Sequence, residues 1–120
     1  MDSELVVLVK GKLNITWSDK NTDARVDVVL EDAIPKLCRM VGLRYDYETG
    51  TAYDGAGEVF DFGIPSMERW LLLNYCLYEW NHKGDLFWAA YEDDIGSCQQ
   101  RHDLESTPEE EGTDGPSENV

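Results

Sequence analysis

The sequence predicts an all-α fold: a small four-helix bundle with a long loop or short hairpin between helices two and three and an acidic C-terminal tail. Three observations predict it. Apolar residues recur at helical spacing in four stretches, glycines and polar caps punctuate those stretches, and the composition breaks sharply at Asp103. The chain has 120 residues, 42% of them hydrophobic, with four Trp, six Tyr and three Phe. That is one domain with enough apolar surface for one core.

The first helix starts near Ser3, a cap residue, and places Leu5, Val6, Val9 and Leu13 on one side. It is short and requires tertiary support. The second follows the polar run Ser18 to Asp23 and carries Val26, Val29, Leu30, Ala33, Leu37, Met40 and Val41 on one face, with Gly42 as its terminal glycine. Pro35 inside it removes a backbone donor, which predicts a kink over Glu31 to Ile34. From Leu43 to Gly63 aromatic and acidic residues alternate around Thr49-Gly50 and Gly55-Ala56-Gly57, the pattern of a short hairpin or a long loop.

Pro65 and Ser66 open the third helix, SMERWLLLNYCLYEWNHK, whose apolar residues lie on nearly every side. Such a helix is expected to be buried all round, in the core or against another subunit. After Lys83-Gly84-Asp85 a fourth helix, DLFWAAYEDDIGSCQQRH, turns Leu86, Phe87, Ala90, Tyr91, Ile95 and Cys98 inward. Residues 1–102 therefore form the helical domain. Residues 103–120 carry seven acids, no base and no aromatic residue, the composition of a segment that is flexible alone and free to order on a partner.

Twenty-five acids against ten bases give a net charge of -15, and the first 102 residues keep 18 acids against the same ten bases. A chain so anionic repels phosphates, which argues against a DNA reader or a protein of anionic lipid surfaces. The opening residues MDSELVVLVK place acids where a signal peptide places bases, around an apolar run too short to span a membrane, so neither a leader nor a span is expected there. Cys38, Cys76 and Cys98 are odd in number and sit in apolar helical patterns, as reduced thiols of an intracellular protein do.

The chain offers little to chemistry. His82 and His102 lie near or beyond helix ends without a second ligand at metal spacing, and are expected at the surface. Carboxylate pairs such as Glu58 with Asp61, or the run Glu92-Asp93-Asp94, are what a chain so rich in acids produces on a solvated face. Gly55-Ala56-Gly57 lacks the lysine and hydroxyl of a phosphate loop. No catalytic residue, metal site or cofactor is expected. Trp70 and Phe87 suit a core. Trp80 and Trp88 flank the Lys83 corner, where aromatic anchors serve subunit contacts, and with Tyr91 the five form the expected subunit interface.

The order of motifs resembles the head-tail connector (adaptor, or head completion) proteins of tailed bacteriophages. The resemblance rests on Leu13-Asn14-Ile15-Thr16-Trp17 followed by an acidic cap and a helix ending in Gly42, then a variable insertion. It continues in the aromatic, leucine-rich helix from Arg69 to Asn81 that leads into Leu86-Phe87-Trp88. These cover most of residues 5–95. The resemblance implies a ring, expected to be a dodecamer, in the virion neck between head and tail, assembled in the host cytoplasm. It docks on the portal protein, meets a downstream tail or stopper protein, extends the DNA channel and has no membrane role. It also implies that the insertion, with Tyr47, Tyr53, Asp54, Gly55, Gly57 and Asp61, faces the channel or the tail. The C-terminal segment, with Leu104, Pro108 and Val120, would dock on the portal, though its acidity departs from the family pattern. An acidic wall repels passing DNA over about 8 to 10 Å, a Debye length.

Two rivals have other bases. An acidic DNA mimic that occupies a basic host protein would use the charge of -15 and Glu92-Asp93-Asp94. The apolar third helix argues against it, because mimicry needs charge on its surfaces. An enzyme would need an acid pair with shifted pKa values in a pocket.

Overall fold

The computed structural model describes residues 3–17 and 19–114, with side chains described through Glu105. The fold is mostly helical with one small sheet. In chain order it comprises α1 (Ser3–Lys12), α2 (Lys20–Val41), β1 (Arg44–Asp46), β2 (Thr51–Tyr53), β3 (Val59–Phe60), α3 (Met67–Trp80), α4 (Phe87–Ala90) and α5 (Glu92–Asp114). A single 3-10 turn, Gly84–Leu86, precedes α4.

Helix α1 buries Leu5 and Val9, one turn apart, and the LNITW segment reverses the chain after it. Asn14 takes the left-handed conformation (φ 62°), Ile15 is buried, and the Trp17 indole N–H donates to the Thr22 hydroxyl at 3.2 Å. The Lys10 ammonium meets the Asp23 carboxylate at 2.6 Å, fixing the end of α1 to the start of α2. Asp19 caps α2 by accepting from the Thr22 amide at 3.0 Å and its hydroxyl at 2.8 Å. These bonds hold the Asp19 carboxyl below its ordinary value. The buried face of α2 is Val26, Leu30, Ala33, Leu37, Cys38 and Val41. Gly42 ends the helix at φ 90°, and its amide and that of Leu43 both donate to the Cys38 carbonyl. Helix α2 is continuous through Pro35, because packing of Ala33 and Leu37 on either side outweighs one lost backbone bond.

The segment read as a hairpin or loop is a three-stranded antiparallel meander, β1-β2-β3, with Tyr45 opposite Ala52 and Ala52 opposite Phe60. Two aspartates build its turns. Asp46 accepts from the amides of Glu48 and Thr49, and Asp54 accepts from those of Ala56 and Glu58. Gly50 and Gly57 supply the positive φ each turn needs.

Ser66 caps α3 by accepting from the Arg69 amide at 3.1 Å. Burial all round α3 is not what the fold provides. Leu71, Leu72, Tyr75 and Cys76 are inside, while Met67 and Trp70 are 40% and 44% exposed, since the packed helices cover one side of it only. The expected fourth helix is likewise broken at Tyr91 into α4 and α5. Glu92, Asp93 and Asp94 make the first turn of α5, where the helix dipole favours carboxylates. Leu86 and Ala90, expected inside, are exposed. The composition break at Asp103 is no element boundary, because α5 runs on to Asp114.

One core gathers α1, the α2 face, Ala52 and Phe62 from the sheet region, α3, Phe87 and the Ile95 and Cys98 side of α5. All three cysteines are free and buried. Burial pushes the Cys38 and Cys76 thiols up to about 12 and Cys98 up to about 11. The folded state therefore holds protons that the unfolded thiols release, so its advantage is complete below pH 9 and is lost as pH rises towards 12. The unfolding free energy from urea titrations should fall between pH 9 and 11, by on the order of 1 kcal/mol per pH unit for each of Cys38 and Cys76. A thiol-specific chromogenic disulfide at pH 8 should react with no thiol until the chain unfolds; fast reaction in buffer would contradict this packing.

Candidate functional site

A layered aromatic stack lies between α3 and the α4–α5 junction. Phe87, fully buried, stacks on Tyr91 with centroids 4.6 Å apart and meets Tyr75 at 4.9 Å and Tyr78 at 5.5 Å. Tyr91 carries Trp70 edge-on at 5.5 Å. Asn74 locks the stack from beneath: its amide donates to the Trp70 carbonyl at 2.8 Å, and its oxygen accepts from the Tyr91 hydroxyl at 3.3 Å.

The five residues expected at a subunit contact thus separate. Trp70 and Trp88 are 44% and 45% exposed and face outward from a core that is complete without them. Phe87 is enclosed and does not reach a partner, and Tyr91 is half-buried in the stack. Trp80 is half-buried under the Arg25 guanidinium, 4.1 Å from its ring, so it serves to join α3 to α2. Close to the corner after α3, Leu77, Tyr78, Leu86 and Ala90 line an apolar cup of about 400 Å³ beside Lys83.

The insertion residues do not form one loop. Tyr47 sits on the β1–β2 turn, 69% exposed. Tyr53 lies under the Arg44 guanidinium at 4.3 Å on β2, and Asp54, Gly55 and Gly57 form the opposite turn. Asp61 accepts from the Gly63 amide just after β3. Gly55 is held against α5, where a Cβ would stand 1.9 Å from the His102 carbonyl oxygen, so only glycine fits. Between the sheet, α1 and α2 opens a cleft of about 640 Å³ with Tyr45, Phe60 and Phe62 in its walls and Glu31 and Asp61 among its lining. Of the portal-docking residues, Leu104 is 61% exposed on α5. Pro108 falls in α5, its side chain outside the described ones, and Val120 lies outside the described residues.

Sequence reading missed a buried polar cluster. Glu68 and His102 are 1% and 4% exposed, so His102 is a core residue rather than a surface one; His82 is exposed. The Glu68 carboxylate lies 2.7 Å from His102 Nε2 and also pairs with Arg101. His102 Nδ1 lies 2.9 Å from Glu105 Oε1, which accepts in turn from the Gly55 amide at 3.2 Å. One chain of contacts thereby joins α3, α5 and the sheet turn. The signal was present, since Glu68 falls on the same arc as Leu71, Leu72 and Tyr75 at helical spacing.

Among the described residues no group of three or more His, Cys, Asp or Glu is placed to hold a metal ion, and no helix is long and apolar enough to cross a membrane. No protein-family model, no curated protein and no solved structure matches this chain.

Removing the Glu68 carboxylate leaves Arg101 and His102 without their partner, so Glu68→Ala should destabilise the fold by about 3 kcal/mol. Glu92→Ala, on an exposed first turn, should stay within about 0.5 kcal/mol. Urea denaturation compares them, and a Glu68→Ala protein as stable as Glu92→Ala would contradict the buried network.

Proposed function

We propose that this chain is a non-enzymatic structural subunit of a phage head-tail connector ring. It docks on the portal protein, continues the DNA channel and receives the next tail or stopper component, so its place is the neck of the virion. In this reading α1, α2, α3 and α5 are the members of a small four-helix bundle, and the sheet is the insertion between the second and third of them. The ring is a dodecamer.

The observation that carries the assembling role is a core that closes without Trp70 and Trp88 while both indoles stand nearly half in water. Exposed indoles on a rigid helical frame are what subunit contacts use, because they add large apolar area at little entropic cost. The connector identity rests on the order of motifs. A short helix, the LNITW reversal, a long helix closed by Gly42, an insertion, and an aromatic helix passing into Leu86-Phe87-Trp88 follow one another as in that family. The net charge of -15 supports it, since a wall that DNA passes must not hold it.

The test is negative-stain imaging with native mass measurement of the purified chain, alone and mixed with portal protein from the same genome. Rings, or portal complexes lost on deleting residues 103–120, are the expected result. A chain that stays monomeric and ignores the portal would refute the reading and favour an acidic mimic of DNA.

A further inference from the structure

We propose that copies of this chain meet head to tail, the Lys83–Trp88 corner of one seating in the cleft between α1, α2 and the sheet of the next. The inference rests on the ring reading and names the two surfaces that would build it.

The two surfaces lie at different places on the molecule. The Arg25 guanidinium over Trp80 places the end of α3, and so the corner, beside the start of α2. The sheet follows the other end of α2, where the Gln99 amide donates to the Met40 carbonyl at 2.6 Å. The cleft begins on α2 at Glu31, six residues beyond Arg25 and so roughly 9 Å along the helix, and runs from there to the sheet. Because the two surfaces differ, the corner of one copy can seat in the cleft of a second whose own corner stays free for a third. Each copy that uses its corner leaves its cleft open, so the contact repeats until rotation closes it into a ring.

Their chemistry is complementary. The corner offers Leu86 and Trp88, 54% and 45% exposed, beside the Lys83 ammonium. The cleft offers aromatic walls of Tyr45, Phe60 and Phe62 with the carboxylates of Glu31 and Asp61, and among the described residues none that lines it is basic. At about 640 Å³ it has the size of a pocket that encloses several side-chain groups. Copies carrying -15 repel one another in general, so association requires a place where a cation of one meets anions of the other. Lys83 against Glu31 and Asp61 is such a place, with cation–π contact to the ring faces added. Asp85 in the same corner is the like charge that must stay on the solvent side.

A zero-length carbodiimide coupling of amine to carboxylate reads the contact directly. In assemblies of the full chain on portal protein it should join Lys83 to Glu31 or Asp61 of another copy, and mixing isotope-labelled with unlabelled chains distinguishes this coupling from one within a chain. Lys83→Glu and Glu31→Lys, both at exposed positions, should each weaken assembly at least tenfold while circular dichroism and melting stay unchanged. The double variant should regain it. If wild-type assemblies form but Lys83→Glu leaves them intact, or if the double variant stays as weak as the single ones, the corner-cleft contact is wrong and the ring reading stands. If the wild-type chain assembles neither alone nor on the portal, the ring reading falls and this contact with it.

Discussion

A single carboxylate fixes where α5 lies. Glu68 is 1% exposed on the inner arc of α3, and an anion there is tolerable only if cations and donors come to it. Arg101 and His102 do so from α5, which sets the register of that helix along α3. Glu105, one turn on, then reaches the Gly55 amide and draws the sheet turn against the helix. The orientation of three elements thus follows from one buried charge. Apolar packing alone tolerates sliding by a turn; a charge that must meet two partners does not.

That register also decides which aromatic side chains are inside. With α5 held at Glu68, the break at Tyr91 places the ring of Tyr91 on Phe87 and closes the core beneath it. Trp70 is left as the outer edge of the stack, and Trp88 stays 45% exposed. The exposed indoles are therefore a consequence of how the interior is satisfied, and an assembling subunit is the economical use for them. Charge then restricts the partners. A strongly anionic body approaches a copy of itself only through local pairing, which the proposed contact of corner and cleft would supply.

Much of this was legible in the residues. Ser66 and Gly42 marked helix ends because capping is local chemistry, decided within four residues, whereas the start of α2 was placed after Asp23 although Asp19 caps it from inside the polar run. The face of α2 was legible because a clean 3.6-residue period has one interpretation. The sheet was half-legible: Thr49-Gly50 and Gly55-Ala56-Gly57 announced turns, but strands of two and three residues are too short for alternation to reveal their pairing. The break at Tyr91 was hidden because Phe87, Tyr91, Ile95 and Cys98 keep a helical period across it. His102 was read as a surface residue and Glu68 was not singled out, since each is ordinary in its own segment; their partnership spans 34 positions and exists only once α3 and α5 are packed.

The central claim is that the folded chain is complete by itself and that Trp70 and Trp88 form a contact surface on it. Hydroxyl-radical footprinting of the tryptophans, in the free chain and in complex with portal protein, tests this most directly. Trp70 and Trp88 should both be oxidised readily in the free chain and protected in the assembly, while Trp80 under Arg25 changes little. Trp70 and Trp88 protected in the free monomer, or equally reactive in a formed assembly, would contradict it.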